Sequence, residues 1–254
     1  MLEIKGLTKN FGGLCAVNNL DLTVEKGEFV GLIGPNGAGK STVFNLVTGF
    51  IKPSKGKIIF EGHDITGRSP HAIAKYGIVR TFQANRIFAD FTVLQDVLAA
   101  CHLTNKTGLW EGIFRTSGAR KKEQYTLARA QEILRFTNLE SMSQTFAHNL
   151  PHGYKRILGI AIALAAQPKL LILDEPLSGM SSKEVAEASN LMTRIWNGKT
   201  TILLIEHNMR AAMSLCKRVV VINFGKKMAE GLPDEIVRNQ EVIKAYLGVN
   251  VSVA

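Results

Sequence analysis

The chain has 254 residues, 46% of them hydrophobic and 20% charged, and a formal net charge of +10 at pH 7. This composition excludes a disordered chain and suits one large α/β domain or two modest ones. The positive charge either favours a phosphate-rich neighbour, such as nucleic acid or an anionic membrane surface, or belongs to an ordinary solvated surface. No apolar run is long enough to span a bilayer and the amino terminus lacks a secretory signal, so we expect a cytosolic chain unless a partner tethers it.

The first elements alternate between strand and helix patterns. LEIKGLTKNF and LCAVNNLDLTV alternate apolar and polar residues, which predicts a pair of antiparallel strands. EFVGLIG is a nearly continuous apolar run bounded by glycines, typical of a buried parallel strand. It leads through PNGAGKST into an apolar-periodic helix, VFNLVTGF, and GKIIFEGHDIT is again strand-like.

The middle of the chain has a different character from about residue 86 to about residue 159. It is rich in helix formers and carries the basic segment RTSGARKK, which together predict a helical insertion. After it, KLLILDEP, TTILLIEH and RVVVINFGK predict three buried strands. A helix is predicted between the first two of these strands and an amphipathic helical tail at PDEIVRNQEVIKAYLG. Strands that alternate with helices indicate a mostly parallel sheet covered on both faces.

A phosphate-binding motif lies between the first predicted buried strand and the helix that follows it. Residues 34–41, GPNGAGKS, fit G-x-x-x-x-G-K-[ST] in the strand-loop-helix context that the motif requires. Backbone N–H groups and the helix N-terminus would hold the phosphates, Lys40 would pair with them and the Ser41 hydroxyl would ligate Mg²⁺. The expected nucleotide contacts are Asn36, Gly37, Ala38, Gly39, Lys40, Ser41 and Thr42.

Polar residues follow three other predicted strands. Asp174 and Glu175 come directly after LLIL, Gln83 follows GIVRTF, and His207 follows TTILLIE. Because ligands of α/β sheets bind at the carboxyl ends of the strands, we expect Asp174 to hold the metal and Glu175 to polarise an attacking water. Gln83 and His207 could reach the γ-phosphate or its water from the same edge. Three scattered cysteines, by contrast, show no metal-ligand spacing and are expected to be free thiols.

With these residues in place, the chain resembles the ATP-binding cassette (ABC) family of transporter ATPases over nearly its whole length. The resemblance implies that Phe11 stacks on adenine, that Gln83 contacts the metal and links the site to a membrane subunit, and that His207 contacts the γ-phosphate. It also implies a P-loop NTPase fold with an antiparallel β subdomain and an inserted helical subdomain. Residues 1–254 would then form one domain, with the nucleotide-binding core at about 1–85 and 160–235, the helical subdomain at about 86–159 and a helical tail at about 236–254.

The family's signature sequence, L-S-G-G-Q, is altered here. We call Leu150–Tyr154 the signature segment, and it reads L-P-H-G-Y. In the family this segment contacts the γ-phosphate of ATP held by the other subunit of a dimer, and Leu150 and Gly153 would contribute to that contact. Pro151 removes a hydroxyl and an N–H, although the N–H groups of Gly153 and Tyr154 are expected to stay available to an anion. Ser181 likewise replaces the aspartate that is usual in the loop after Glu175.

A narrower resemblance concerns the transported substrate. GIVRTFQANRIFADFTVLQDV, GMSSKE, IEHNM and EVIKAYLG resemble the subfamily that serves the uptake of branched-chain and other hydrophobic amino acids. It implies an importer ATPase at the cytoplasmic face of the membrane, using ATP and Mg²⁺. Its partners would be integral-membrane permeases, a second ABC ATPase (a second copy or a paralogue) and, indirectly, an extracytoplasmic substrate-binding protein. Residues from about 86 to 135 would dock on the permease.

Two alternatives remain open. The first is a cassette ATPase of similar length that exports a lipid or lipopolysaccharide, and only the subfamily stretches separate it from an importer. The second is an ATPase of the same fold that handles nucleic acid, which the positive charge permits. Such proteins usually carry coiled-coil arms, and no sustained heptads are present in this sequence. We therefore expect no nucleic-acid partner.

Overall fold

The structure is a computed structural model that describes residues 1–81, 90–104 and 117–247. The chain divides into two compact units, each built from more than one stretch of sequence. The first unit comprises Met1–Arg80, Lys169–Glu175 and Met192–Ala254, and the second comprises Thr81–Pro168 and Pro176–Leu191. The second unit thus contains the predicted helical insertion and also residues on either side of the strand that ends at Asp174.

Ten strands are described, all of them in the first unit. Their bounds are β1 Leu2–Phe11, β2 Leu14–Val24, β3 Phe29–Ile33, β4 Lys55–Phe60, β5 His63–Asp64, β6 Ile78–Arg80, β7 Leu170–Asp174, β8 Thr201–Glu206, β9 Arg218–Asn223 and β10 Lys226–Gly231. The buried apolar runs of the sequence became β3, β7, β8 and β9, as predicted.

Nine α-helices are described across the two units. Their bounds are α1 Lys40–Val47, α2 Pro70–Lys75, α3 Val93–Thr104, α4 Ser117–Phe136, α5 His152–Ala165, α6 Ser182–Asn197, α7 Met209–Leu215, α8 Pro233–Arg238 and α9 Gln240–Leu247. Two short 3₁₀ helices, at Glu140–Met142 and Ala147–Asn149, precede α5.

The larger sheet has the strand order β10-β9-β3-β8-β7-β6. Its five strands from β9 to β6 are parallel, and β10 pairs antiparallel with β9 at one edge. Parallel strands are joined by crossovers that cover the faces of the sheet, so their side chains are buried on both sides and the strands read as unbroken apolar runs. The prediction of a mostly parallel sheet is confirmed. The carboxyl ends of β3, β7 and β8 therefore lie side by side along one edge.

The smaller sheet is antiparallel, with the order β2-β1-β4-β5. The predicted pairing of the first two strands is confirmed, since β1 and β2 run antiparallel from the Leu2–Val24 pair to the Phe11–Leu14 pair. Their inward-facing residues join those of the larger sheet and of α1 in one hydrophobic core, in which Phe44 and Phe60 are fully buried. At about 25 cal/mol per Å² of buried apolar surface, such a core is the main favourable term in folding this unit.

The second unit is helical where it is described. Helix α3 packs against α4 and α5, and α4 packs against α5. The isolated bridge between Thr92 and Phe146 ties the start of α3 to the segment that leads into α5. The buried residues Val97, Leu134 and Leu158 lie one on each of these three helices.

The carboxyl-terminal tail is helical where it is described, as its amphipathic pattern predicts, and it is divided into two helices. It forms α8 and α9, separated at Asn239, whose backbone is extended. The Asn239 side-chain oxygen accepts hydrogen bonds from the backbone N–H groups of Glu241 and Val242. Asparagine in this position caps the start of a helix, so the chain begins a new helix there instead of continuing the first.

Candidate nucleotide-binding site

The phosphate loop lies between β3 and α1, where the motif requires it. Gly39 has a φ of 102°, and a Cβ at this residue would come within 2.4 Å of the carbonyl oxygen of Ala16. Glycine is needed here both for the left-handed backbone and for the close approach of β2. The β9–β10 turn also holds the loop, because the N–H of Gly225 donates to the carbonyl of Ala38 at 2.9 Å. The loop is therefore a fixed part of the sheet edge.

Lys40 is the first residue of α1 and is largely buried. Its ammonium donates hydrogen bonds to the backbone carbonyls of Gly34 at 2.7 Å and Pro35 at 2.8 Å. Burial lowers the pKa of Lys40, and the nearby negative charge of Glu175 partly offsets this effect. The cation is thus held over the loop, while Ser41 and Asn36 are exposed beside it.

Asp174 and Glu175 stand at the end of β7. The Asp174 side chain is only 10% exposed and makes an ion pair with Arg80. Glu175 has a φ of 47°, in the left-handed region that a side chain with a Cβ seldom adopts, and its N–H donates to the carbonyl of Ile205 on β8. Backbone strain of this kind costs on the order of 1–3 kcal/mol and clusters at active sites. The strained backbone thus supports Glu175, directly after the end of β7, as a candidate catalytic residue.

His207 follows the last residue of β8 and is half-exposed. Its Nδ1 lies 3.7 Å from Oε1 of Glu175. The structure therefore brings Lys40, Asp174, Glu175 and His207 together at the carboxyl edge of one parallel sheet. A nucleophilic water held between Glu175 and His207 would lie beside the phosphate loop, which is the placement that acid–base catalysis of phosphoryl transfer needs.

Phe11 is the last residue of β1 in the same unit. Its side chain is 47% exposed, and the Lys9 ammonium lies 5.0 Å from the ring centroid. An exposed ring of this kind can stack on a nucleotide base. Gln83, the other predicted contact in this region, lies outside the described residues, as does Arg86 at the start of the predicted docking stretch.

The donors that would hold Mg²⁺ are the Asp174 carboxylate and the Ser41 hydroxyl. Among the described residues, no group of three or more His, Cys, Asp or Glu side chains converges on a possible metal position. Mg²⁺ keeps several waters and binds to proteins through one or two carboxylates together with substrate phosphates. One carboxylate and one hydroxyl next to a phosphate loop fit this ion, and they do not fit a metal held by protein ligands alone.

The signature segment begins α5 in the second unit. Pro151 is the N-cap residue and contributes no side-chain hydrogen bond, and the helix begins at His152. Leu150 is buried, as is Gly153. The His152 ring lies against Gly179, where an added Cβ would come within 3.2 Å of the ring. A bulky residue at position 152 is thus accommodated by a glycine in the loop before α6.

The start of α5 has an acidic neighbour, Glu184. The carboxylate of Glu184 on α6 lies so close to Gly153 that a Cβ at Gly153 would meet Oε1 at 2.3 Å. Glu184 also accepts hydrogen bonds from the N–H of Ser181 at 2.8 Å and from its hydroxyl at 2.7 Å. These bonds from Ser181, with a smaller contribution from His152, hold the pKa of Glu184 below its usual range. An internal anion thus contacts the start of α5.

Glu184 and Arg80 were not predicted as site residues. Glu184 had a local signal, because Ser181-Ser182-Lys183-Glu184 is the S-x-x-E pattern of a capping box, and Ser181 does cap α6. Its second contact, with Gly153, depends on the packing of two helices and has no local signal. Arg80 pairs with a residue 94 positions away along the chain.

Two protein families match the sequence. Residues 17–178 match the family described as ABC transporter. Residues 226–251 match the family described as branched-chain amino acid ATP-binding cassette transporter.

Curated proteins match over nearly the full chain. The chain is 44% identical over 249 residues to the high-affinity branched-chain amino acid transport ATP-binding protein LivG of Salmonella typhimurium, covering 98% of both chains. It is 42% identical, again over 98% of both chains, to the corresponding protein BraF of Pseudomonas aeruginosa. The lipopolysaccharide export system ATP-binding protein LptB of Haemophilus influenzae is 31% identical, over 98% of this chain and 97% of that protein.

Solved structures agree with the sequence matches. A nucleotide-free ATP-binding cassette from an ABC transporter superimposes with a TM-score of 0.85 and 30% identity, covering 98% of this chain and 99% of the other. The ADP conformation of the cassette MJ1267 gives the same TM-score, identity and coverage. The predicted P-loop NTPase fold is thereby confirmed. This chain belongs to the ABC transporter family, as one of its ATP-binding cassettes.

Proposed function

We propose that the chain is the ATP-hydrolysing subunit of an importer for branched-chain or other hydrophobic amino acids. The observation that carries the catalytic part is the convergence of Lys40, Asp174, Glu175 and His207 at one edge of the parallel sheet. The substrate class is supported by the identity of 44% to LivG against 31% to LptB, and by the match of residues 226–251. Export of lipopolysaccharide is the weaker candidate on the same comparison.

The site would bind ATP in four ways. Backbone N–H groups of residues 36–42 and the positive end of α1 would surround the β- and γ-phosphates. The Lys40 ammonium would exchange its bonds to the loop carbonyls for charge-assisted bonds to phosphate oxygens. Phe11 would stack on the adenine ring. Mg²⁺, held by Ser41 and Asp174 together with the phosphates and with Gln83 as a further candidate, would neutralise charge on the transferred group.

Hydrolysis would depend on the pair at the strand ends. The Glu175 carboxylate would orient a water and accept its proton as the water attacks the γ-phosphorus in line with the departing ADP oxygen. His207, whose Nδ1 lies 3.7 Å from Glu175, would hold the γ-phosphate or the water in that position. Because Glu175 does not hold the phosphates, its loss should stop turnover and leave binding intact.

The site is completed by a second cassette. The chain has one phosphate loop and one signature segment, and a signature segment acts on ATP bound to the other subunit. We therefore propose a dimer, formed either by a second copy or by a paralogue. The dimer would work at the cytoplasmic face of the membrane, attached to integral-membrane permeases. In the part of the chain that the structure describes, no helix has the length and apolar character needed to cross a bilayer.

Gene deletion tests this proposal. Uptake of labelled leucine, isoleucine and valine is measured in the source organism without the gene and after complementation with wild type, Glu175→Gln or Glu187→Gln. Glu187 is an exposed carboxylate on α6 and serves as the matched control. We expect wild type and Glu187→Gln to restore uptake and Glu175→Gln to fail. Normal uptake in the deletion strain, with lipopolysaccharide retained inside the cell, would favour the export alternative.

A further inference from the structure

A buried arginine contacts the carboxylate that is predicted to hold the metal. Arg80 is the last residue of β6, and its side chain is only 13% exposed. In the parallel pairing of β6 with β7, Arg80 lies opposite Ile172, two residues before Asp174. A charged side chain at the end of a buried strand is unusual, because burying a charge is costly unless it is paired.

Four contacts fix the Arg80 guanidinium. Nη2 donates to Oδ2 of Asp174 at 2.6 Å, and Nη1 donates to Oδ1 of Asn45 at 2.7 Å. The guanidinium carbon also lies 5.9 Å from the ring centroid of Phe44 and 6.0 Å from that of Phe50. The two N–H arms of one planar fork therefore reach two different elements, the end of β7 and the helix α1.

This bridge joins the two halves of the predicted metal site. Asn45 and Phe44 lie on α1, the helix that begins with Lys40 and Ser41, and Asp174 ends β7. Residues that hydrogen-bond to a metal ligand fix its orientation, and their loss typically weakens metal binding 10- to 100-fold. A contribution to folding stability does not explain the ion pair of Arg80 with Asp174, since a buried ion pair contributes little net stability.

We propose that Arg80 is the positioning residue for Asp174: it holds this carboxylate in the orientation that receives Mg²⁺ with the nucleotide. The inference rests on the proposed function, because it requires ATP to bind at the phosphate loop. Only an arginine can supply both arms at once, since lysine is a point charge without the fork. In this role Arg80 would act through Asp174 and would not itself contact the nucleotide or the metal.

The test separates metal-dependent from metal-independent binding. The affinity for a non-hydrolysable fluorescent ATP analogue is measured in EDTA and in saturating Mg²⁺, and the ratio of the two values is the metal-dependent gain. We expect the affinity of Arg80→Met in EDTA to stay within about twofold of wild type. Its metal-dependent gain should be about tenfold smaller than that of wild type. Arg80→Lys and Asn45→Ala, which each remove part of the bridge, should lose about two- to threefold. Electron paramagnetic resonance of Mn²⁺ with the analogue provides a second readout.

Arg218→Met is the matched control. Arg218 is also a partly buried, ion-paired arginine of the larger sheet, but it begins β9 at the opposite end and pairs with Glu28 and Glu230. Its loss should lower the thermal unfolding midpoint and leave the metal-dependent gain unchanged. If Arg80→Met does not fold, Arg80→Lys and Asn45→Ala still decide the question.

Three outcomes would overturn the inference. The metal-dependent gain could be unchanged in all Arg80 and Asn45 variants. Alternatively, the affinities in EDTA and in Mg²⁺ could fall equally, as they would if Arg80 had a purely structural role. The gain could also rise in Arg80→Met, which would mean that the guanidinium only competes with the metal for Asp174. Failure of the proposed function looks different, since wild type would then bind no analogue with or without Mg²⁺.

Discussion

The phosphate-loop edge of the first unit and the signature segment of the second unit are built on different principles. At the edge, Asp174, Glu175 and His207 stand at the ends of strands whose register is fixed by backbone hydrogen bonds on both sides, and Lys40 begins the helix that follows β3. The signature segment is the start of one helix, whose N-cap is a proline without a side-chain cap. One region is positioned by the whole sheet, and the other depends on a few local contacts.

This difference explains why the two regions differ from the family pattern so unequally. Asp174, Glu175 and Lys40 would each perform a task that needs their own functional group, and the backbone of the sheet fixes where these residues stand. The signature segment acts largely through backbone N–H groups and a helix dipole, which several sequences can supply. We therefore expect it to accept Pro151, His152 and a carboxylate beside Gly153, at the cost of a weaker anion site.

Glu175→Gln should have the largest effect on the phosphate-loop edge. Amide replaces carboxylate without a change of shape, so the group can no longer accept the proton of the attacking water. We expect the steady-state ATPase rate to fall about 10²- to 10⁴-fold while ATP affinity is unchanged. The variant should accumulate as an ATP-bound dimer in size-exclusion chromatography. Turnover at the wild-type rate would remove Glu175 from the role of base.

Lys40→Ala should reduce binding itself. It deletes a buried cation that points at the loop, and a hydrogen bond to a charged phosphate is worth about 1.5–3 kcal/mol. We expect the dissociation constant for a fluorescent ATP analogue to rise about 10- to 100-fold. Lys55→Ala, which removes an exposed lysine from β4, is the control. Equal affinities for Lys40→Ala and wild type would mean that the loop binds ATP without this side chain.

Most of the phosphate-loop edge could be predicted from sequence because its signals are local. The phosphate-loop motif follows one apolar run, and polar residues directly follow two other apolar runs, which identifies the ends of three strands. The carboxyl ends of the strands of a parallel sheet meet at one edge. Arg80 could not be assigned in this way, because its partners Asp174 and Asn45 are distant in sequence. The contact of Glu184 with Gly153 escaped for the same reason, and the break at Asn239 was missed although asparagine is a known cap.

Restoring the signature segment should strengthen the weaker region. Pro151→Ser combined with Tyr154→Gln returns a hydroxyl and an N–H at the start of α5, and serine is also a better N-cap. We expect the ATPase rate of the purified protein to rise by up to about tenfold. A mixed dimer with a paralogue whose segment is closer to L-S-G-G-Q should also exceed the wild-type homodimer. If wild type already matches the double variant, the altered segment is fully active as it stands.

Glu184→Gln should have the smallest effect of these substitutions. It removes the negative charge of the Glu184 carboxylate, which lies at the start of α5. The carboxylate contacts Gly153, so a γ-phosphate arriving from the other subunit would meet a negative charge. Glutamine keeps the capping box with Ser181 but removes the charge, because S-x-x-Q caps a helix as S-x-x-E does. We expect ATP-dependent dimerisation of the Glu175→Gln background to strengthen about two- to fivefold, the range of one charge at a helix N-terminus.

Protonation of Glu184 at acid pH should have the same effect as Glu184→Gln, because both remove the charge of this side chain. The hydrogen bonds from Ser181 lower the pKa of Glu184, so its carboxylate contact is complete above the ordinary glutamate range and is lost as the pH falls through the lowered value. At pH 7 the charge is therefore present, and Glu184→Gln and wild type should differ in dimerisation, measured by size-exclusion chromatography over a range of protein concentrations. Glu187→Gln, which removes an exposed charge from the same helix, should behave as wild type. Equal dimerisation of all three proteins at pH 7 would show that the Glu184 charge does not oppose the phosphate, and the weakness of the signature segment would then rest on Pro151 and Tyr154 alone.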